Sequence, residues 1–329
     1  MRLLVAVLFA PTLAAQLITL PPIADATTDA SQPAVALGNA PELDFGKAFT
    51  YTPTFQTWLT RGHVRFDLTG LIGTGMVPTR ATFFWYQRQA NAAGCLDVSL
   101  HNLLAPWSEA TVTWQTQPAF DPIEISRTCV GDSFAPGWKE FDVTSLAQRW
   151  LAGTVPNLGF VIRDPAESTA GAARPGLGHA REYANPALRP YLELDFAFPV
   201  GSGCTTHATT PALGIGGGAA IMGSPLVLST TNLLPGSLAV IVFGLSDTFW
   251  QGLPLPLSLA SIGHPNCSLN VELGVAVAIG IVPGATAALT ITVPTSPPFD
   301  GLPLFAQTFA FTPSTDLEAS NGLGFRVWL

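Results

Sequence analysis

The fold is decided by residues 107–118, WSEATVTWQTQP, which join two strand-like runs at residues 96–103 and 139–143. Trp107 and Trp114 are seven positions apart, a spacing that does not match the two-residue period of a strand, so their indoles should face different surroundings. A tryptophan beside Ser-Glu and Pro in a β-protein is more often a packing anchor, with its N–H bonded to backbone, than a platform for a ligand. We interpret both tryptophans as anchors and expect Glu109 to bond backbone or arginine.

Composition and charge set the class of protein. Of 329 residues, 48% are hydrophobic and 11% charged, and the chain contains 31 Gly and 29 Pro, which indicates an all-β protein of two domains. The formal net charge of −8 argues against binding to nucleic acid, which needs a basic surface. Residues 201–329 hold five acidic residues and a single base, Arg326.

The N-terminus predicts export. A charged start at Arg2, an apolar run at residues 3–9 and small residues up to Ala15 are typical of a signal peptide at residues 1–15. We therefore predict a secreted or cell-surface protein. No later stretch predicts a membrane span, because the apolar run at residues 271–293 is interrupted by Glu272 and by Pro283-Gly284.

Alternation along the strands predicts which side chains form the core. At residues 81–88, Ala81, Phe83 and Trp85 share one face, which leaves Phe84, Tyr86 and Arg88 on the other. At residues 63–68, Val64 and Phe66 share a face, opposite Arg65 and Asp67. Residues 144–152 predict a short helix that is capped by Asp142 or Thr144 and ended by Gly153.

The second half of the chain predicts another β-domain. Residues 199–203 are expected to form a linker between a first domain at residues 16–198 and a second at residues 204–329. Seven short β-branched runs between Gly and Pro turns follow the linker, which is typical of a β-sandwich or barrel.

Four cysteines, two in each half, favour disulfides in an exported chain. Three pairings are possible, and one bridge per domain is the simplest: Cys95 with Cys129, and Cys204 with Cys267. The chain lacks the close C-x-x-C spacing of a zinc site.

Several motifs occur together and in order: W-S-E-x-T-V-T-W-x-x-x-P, then F-D-V-T at residues 141–144, Trp150, Asn157-x-Gly159-Phe160 and Arg181-Glu182. This pattern, over about residues 18–196, resembles the DNRLRE family of secreted β-sandwich modules, which are grouped with carbohydrate-binding modules. The resemblance implies a jelly-roll-like β-sandwich with one short helix that binds an extracellular polysaccharide, including acidic, alginate-like ones. A second pattern consists of Gly203-Cys204, LPLPL at residues 253–257, Cys267, Val293-Pro294 and SNGL at residues 320–323. It resembles a C-terminal β-domain common on secreted proteins of environmental bacteria.

We predict a glycan-binding surface on the outward face of the first domain. The candidates, taken from the family motifs and from strand alternation, are Arg65, Tyr86, Arg88, His101 and Arg181. Sugar C–H faces stack on aromatic rings, and arginine binds carboxylates with two parallel N–H groups. The alternative is that Arg65 with Asp67, and Arg181 with Glu182, are ion pairs that hold the sheet together.

No sequence signal predicts catalysis or a resident cofactor. The segment GLSDT at residues 244–248 lacks the closing Gly of a nucleophile elbow. Asp25 and Asp29 could contact Ca²⁺, but their spacing is not that of a calcium loop. Besides glycan binding, we consider a structural or adhesive surface protein that self-associates through its charge-poor second domain. A lyase or hydrolase would need a cleft with paired carboxylates or a His-Tyr-Arg cluster. Nothing in the sequence pairs the available carboxylates, which are Glu109, Asp142, Glu182 and Glu193.

Overall fold

The computed structural model describes residues 17–50, 56–89, 96–130, 136–167 and 174–329. The predicted signal peptide and Cys95 lie outside these residues. The chain divides into two compact units, Leu17–Leu194 and Asp195–Leu329. No described helix has the length and apolar character needed to cross a bilayer.

Among its described residues, the first unit has eleven strands and one α-helix. The strands are β1 Leu17–Leu20, β2 Pro22–Asp29, β3 Phe45–Thr50, β4 Gln56–Phe66, β5 Pro78–Gln89, β6 Leu96–Leu103, β7 Phe120–Val130, β8 Gly137–Asp142, β9 Phe160–Arg163, β10 Arg174–Gly178 and β11 Tyr191–Phe196. The helix α1 spans Thr144–Leu151, and a 3₁₀ turn covers Pro186–Leu188. The strand order is β1-β11-β5-β10-β3-β4-β9-β6-β7, with β2 on β4 and β8 on β5.

The core of the first unit follows the predicted alternation. Ala81, Phe83 and Trp85 of β5 are fully buried, as are Val64 of β4 and Leu100 of β6. Strands that are not neighbours in the strand order meet in this core. The ring of Phe83 on β5 lies 5.1 Å from the ring of Phe160 on β9. This arrangement and the single short helix confirm the all-β class.

The helix α1 confirms the predicted helix and its end before Gly153, but the predicted cap is wrong, because the N-cap position is Val143, which makes no side-chain capping hydrogen bond. Asp142 Oδ1 accepts hydrogen bonds from the Thr144 N–H at 2.9 Å and from its hydroxyl at 2.6 Å. Trp150 is buried, and its ring is nearly parallel to that of Phe160. Gly153 follows with a φ of +68°, a left-handed conformation that glycine adopts without strain.

The second unit consists of twelve strands. They are β12 Phe198–Val200, β13 Ala212–Gly218, β14 Pro225–Thr231, β15 Leu238–Gly244, β16 Phe249–Trp250, β17 Leu253–Pro254, β18 Leu257–Leu259, β19 His264–Leu269, β20 Val275–Ile281, β21 Ala287–Thr292, β22 Pro303–Phe311 and β23 Leu317–Arg326. Short 3₁₀ turns cover Ala260–Ile262 and Pro297–Phe299.

Two antiparallel sheets form the second sandwich. One has the order β12-β23-β22-β15-β20 and the other β13-β14-β21, while β16-β17 and β18-β19 are separate two-stranded pairs. Leu226 and Leu228 of the three-stranded sheet pack with Ile241 and Phe325 of the five-stranded sheet. The predicted disulfide Cys204–Cys267 is present. Cys129 is also disulfide-bonded.

The segment expected to be a linker begins as a strand. Pro199 and Val200 are the last residues of β12, and they pair with Leu323 and Gly322 of β23. The physical reason is that β23 offers a free sheet edge, which the backbone of residues 198–200 covers. Composition alone marks residues 199–203 as flexible because Pro and Gly dominate them.

Candidate functional site

The tryptophan of the WSE motif is a packing anchor, as predicted. Trp107 is 8% exposed, and its Nε1 donates a hydrogen bond to the Leu158 carbonyl at 2.9 Å. Its ring packs with Ala24, Ala26 and Val161. The motif therefore fixes the 107–118 loop to the sandwich.

Glu109 of the same motif binds Arg181, from the other end of the sequence pattern. Arg181 Nε and Nη2 donate to the two Glu109 carboxylate oxygens at 2.8 and 3.0 Å. Glu109 Oε1 also accepts the Asp25 N–H at 2.8 Å, so Glu109 bonds both backbone and arginine, as predicted. Arg181 further pairs with Glu182 at 2.7 Å. The guanidinium is thus engaged by two carboxylates, which matches the ion-pair alternative.

Asp25 is buried inside this network. It is 1% exposed, its Oδ2 accepts the Arg181 N–H at 2.9 Å, and Oδ1 has no hydrogen-bond partner among the described residues. Burial raises the pKa of Asp25 to about 8, and the nearby Glu182 and Glu109 carboxylates act in the same direction. Asp25 therefore carries a proton at neutral pH.

The carboxylates of Asp25, Glu109 and Glu182 lie close enough together to be considered as metal ligands, within 4.8 Å of one another. The Arg181 guanidinium already neutralises two of them, and a cation would have to compete with it. Asp29, considered with Asp25 as a calcium ligand, is not part of this group. Its Oδ1 accepts hydrogen bonds from the N–H and the hydroxyl of Ser31.

The buried Asp25 predicts a pH dependence of stability. Between pH about 4 and 8 the folded chain holds a proton on Asp25 that the unfolded chain releases, so the free energy of unfolding falls as pH rises. Below pH 6.5 three buried histidines act in the opposite direction, because burial lowers the pKa of His63 to about 3 and also lowers the pKa of His101 and His179. Burial raises the pKa of Asp44 to about 6. Asp44 therefore also lowers the free energy of unfolding as pH rises, but its contribution ends near pH 6. We therefore expect a net loss of stability between pH 6.5 and 8.

Urea unfolding at pH 6.5 and 8, followed by tryptophan fluorescence, measures this loss; six of the eight tryptophans lie in the first unit. The Asp25→Asn variant should lose less stability over this range. The control is Asp67→Asn, since hydrogen bonds from Thr69 hold the pKa of the exposed Asp67 below its usual value. An equal pH dependence in wild type and Asp25→Asn would contradict the assignment.

Two of the five predicted glycan ligands lie in packed surroundings. His101 is 5% exposed, and its ring nitrogens lie 2.9 Å from the Asp121 carbonyl and 3.0 Å from the Ser99 hydroxyl. Arg65 lies against the anchor, with its guanidinium 5.6 Å from the Trp107 ring. Neither joins Tyr86, because the strands that carry them are on another part of the sheet.

Tyr86 belongs to a connected set of rings on the outer face of β5, opposite Phe83 and Trp85. We call this set the ring surface; its members are Phe84 and Tyr86 of β5, Trp138 of β8, Tyr191 of β11, and His179 and Tyr183, which follow β10. Tyr86 pairs with Trp138 across the two strands, and their ring centroids are 5.2 Å apart.

The contacts extend the ring surface in both directions. Trp138 contacts Tyr191 at 5.2 Å, and Tyr191 is stacked on Phe84 at 4.7 Å. On the other side, the His179 ring is parallel to Tyr86 at 5.6 Å. Trp138 is 37% exposed, and Tyr86 and Tyr191 are partly exposed. These three aromatic rings therefore present apolar surface to solvent.

Arg88, the next outward residue on β5, lines a groove of about 360 Å³. Its guanidinium is paired with Asp44 at 3.1 Å. Trp58, Glu42 and Asp29 also line the groove, and Trp58 Nε1 has no hydrogen-bond partner among the described residues. We call this the Arg88 groove; its described charges comprise one guanidinium and three carboxylates.

Strand alternation predicted the outward orientation of Tyr86 and Arg88, whereas the sequence analysis did not single out Trp138, Tyr183 and Tyr191. Alternation in GWKEFD, with Phe141 inward, was the available signal for Trp138. His179 and Arg181 are two positions apart but lie in different surroundings, because β10 ends at Gly178 and the chain turns after Ala180. His179 joins the ring surface, whereas Arg181 joins Glu109.

The first unit is thus a β-sandwich that presents partly exposed rings on one outer face. The chain belongs to carbohydrate-binding module family 96, whose family model matches residues 16–194. A search of curated proteins found no match.

Among solved structures, the crystal structure of a beta-1,2-glucanase from Parabacteroides distasonis is similar at a TM-score of 0.22 and 9% identity. The match covers 96% of this chain and 37% of that chain, so this chain spans little over a third of the glucanase. A likeness at this TM-score carries no argument about function.

Proposed function

We propose that this protein is a secreted, non-catalytic carbohydrate-binding protein that recognises an extracellular polysaccharide through the ring surface. The observation that carries the proposal is the continuous set of partly exposed rings around Tyr86, Trp138 and Tyr191 in a chain of family 96. Sugar rings present C–H faces that pack on such aromatic edges. The motif resemblance to DNRLRE modules supports the same function.

The charges near the ring surface favour a neutral glycan over an acidic, alginate-like one. Arg80 is paired with Glu193 at 2.9 Å and lies 3.6 Å from Glu140. Arg88 is paired with Asp44, and Glu42 lies in the same groove. A uronic acid would have to displace these carboxylates from their arginines, whereas a neutral sugar needs hydrogen bonds and ring contact alone.

Replacing Trp138 with Ala is expected to weaken binding strongly. The change removes the most exposed ring of the surface and its three ring contacts, to Phe84, Tyr86 and Tyr191. The loss should be about 10- to 100-fold in Kd, in line with about 1 to 3 kcal/mol for an aromatic platform. Affinity electrophoresis against neutral β-glucans and against alginate measures it. The wild-type protein should be retained on a neutral polysaccharide. It should leave the length of that polysaccharide unchanged, because it binds the polymer without cleaving it.

Phe249→Ala is the matched control, since it removes an exposed ring from the second unit. Trp58→Ala tests the Arg88 groove independently of the ring surface, because Trp58 lines the groove and is not a member of the ring surface. Retention that survives in Trp138→Ala but is lost in Trp58→Ala would move the site to the groove. Retention unchanged in both variants, or absent in the wild type on every polysaccharide, would contradict the proposed function.

One observation favours a structural or adhesive role as the second candidate. The second unit exposes large apolar side chains, among them Ile281 at 75% and Val275 at 63%, on the edge strand β20. An apolar edge strand offers free backbone groups to a second copy. Sedimentation of the full chain at rising concentration tests this role, which a monomer throughout would exclude.

A further inference from the structure

The second unit contains a cleft of about 560 Å³. Val240 of β15 and Phe309 and Phe311 of β22 form its floor, on the five-stranded sheet. Its wall is the chain between β15 and β20, including Trp250 and Leu257. The cleft volume lies within the range of about 300 to 1,000 Å³ that small-molecule sites occupy.

The lining of the cleft is almost entirely apolar. Twelve of its fourteen lining residues are apolar, the other two are Ser258 and Ser261, and none is charged. A sugar or an ion would lose its hydration there and find only two serine hydroxyls to replace it, which disfavours its binding. A hydrocarbon would gain from leaving water, and the gain grows with each buried CH₂ group. The lining therefore selects against the ligand class proposed for the ring surface.

The disulfide holds the wall to the sheet. Cys267 lies on β19, in the wall, and Cys204 pairs through its backbone with Ala319 of β23. Leu259 from the wall and Phe309 from the floor pack against the two cysteines. The cleft is therefore preformed, and a bound molecule need not order its walls.

We propose that this cleft binds a neutral, mainly hydrocarbon small molecule, such as an alkyl chain that ends in one hydroxyl group. The alkyl chain of the ligand lies between the sheet and the wall, and the ligand's hydroxyl group forms a hydrogen bond with Ser258 or Ser261. A second copy of the protein is a poorer occupant, because a flat sheet face cannot enter a cleft that is bounded on two sides. This site is independent of the ring surface.

The test uses the full chain and 10-bromodecan-1-ol, whose bromine quenches a tryptophan that it contacts. We expect saturable quenching at one ligand per chain, which is lost in Trp250→Phe. Ser261→Phe, which fills an exposed position of the lining, should weaken binding by about tenfold or more. Sodium decanoate should compete far less well than decan-1-ol, because no cation lines the cleft.

The matched control is Thr209→Phe, an exposed position of the same unit outside the lining, which should bind as the wild type does. Thermal unfolding checks that each variant is folded. Quenching that does not saturate, that persists in Trp250→Phe, or that decanoate abolishes as well as decanol does would overturn the proposal. The proposal would also be overturned if the protein is a dimer and its Trp250 is not quenched at any concentration of 10-bromodecan-1-ol.

Discussion

Replacing Glu109 with Ala is expected to destabilise the first unit by about 2 to 4 kcal/mol. The change removes the two Glu109 oxygens that accept from Arg181, so that Glu182 is the only carboxylate left of the two that engage Arg181, and it leaves the buried Asp25 N–H without its partner. It also removes the side chain that packs against Gly38. The two residues approach so closely that a Cβ atom at Gly38 would overlap with the Glu109 backbone. Urea unfolding followed by tryptophan fluorescence measures the effect.

Glu124→Ala is the matched control for this prediction. Glu124 accepts from Arg127 in the same two-oxygen geometry, but Arg127 is half exposed, so the loss should be under about 1 kcal/mol. Glu109→Gln keeps an acceptor for the Asp25 N–H and should fall between the two. Equal losses for Glu109→Ala and Glu124→Ala would show that the Glu109 network contributes no more than a surface ion pair.

Replacing Cys204 and Cys267 together with Ala is expected to destabilise the second unit by about 4 kcal/mol. The disulfide closes a loop with a sequence separation of 63, and its removal raises the conformational entropy of the unfolded chain. Calorimetry should show the transition of the second unit at lower temperature, while the first unit's transition stays in place. The hydrocarbon cleft should lose affinity in the same variant, because its wall is no longer tied to β23.

Leu259→Ala separates the crosslink from the packing around it. Leu259 packs against the two cysteines, so this variant loses buried contact without changing the unfolded chain's connectivity. The denaturant m-value should rise in the cysteine variant, because more surface is exposed on unfolding, and should stay unchanged in Leu259→Ala. An unchanged m-value and a small loss in the cysteine variant would contradict the entropic explanation.

Sequence reasoning succeeded where the pattern is local. The alternation around Phe83 and Trp85 predicted the core face of β5, and the run at residues 144–152 that Gly153 ends predicted α1. The surroundings of Trp107 predicted a buried ring bonded to backbone. These features depend on a strand's two-residue period, on helix ends and on side-chain chemistry, all of which neighbouring residues set.

Sequence reasoning could not predict which outward-facing side chains meet. Tyr86 and Trp138 come together because β8 pairs with β5 in one register, and a shift by one residue would place Trp138 inside. Arg181 meets Glu109, 72 positions away, because the chain turns after β10. His101 points outward by alternation but is covered, which no strand pattern reveals.

By itself, then, the sequence determined the all-β class, the buried face of the main strands, the short helix and the disulfide of the second unit. Only the tertiary structure decided that Tyr86 lies in a solvent-facing set of rings, that Arg181 is held by carboxylates, and that the second unit contains an apolar cleft. The physical reason is that exposure and pairing of a side chain depend on strands distant in the chain, whose register and order no local pattern fixes.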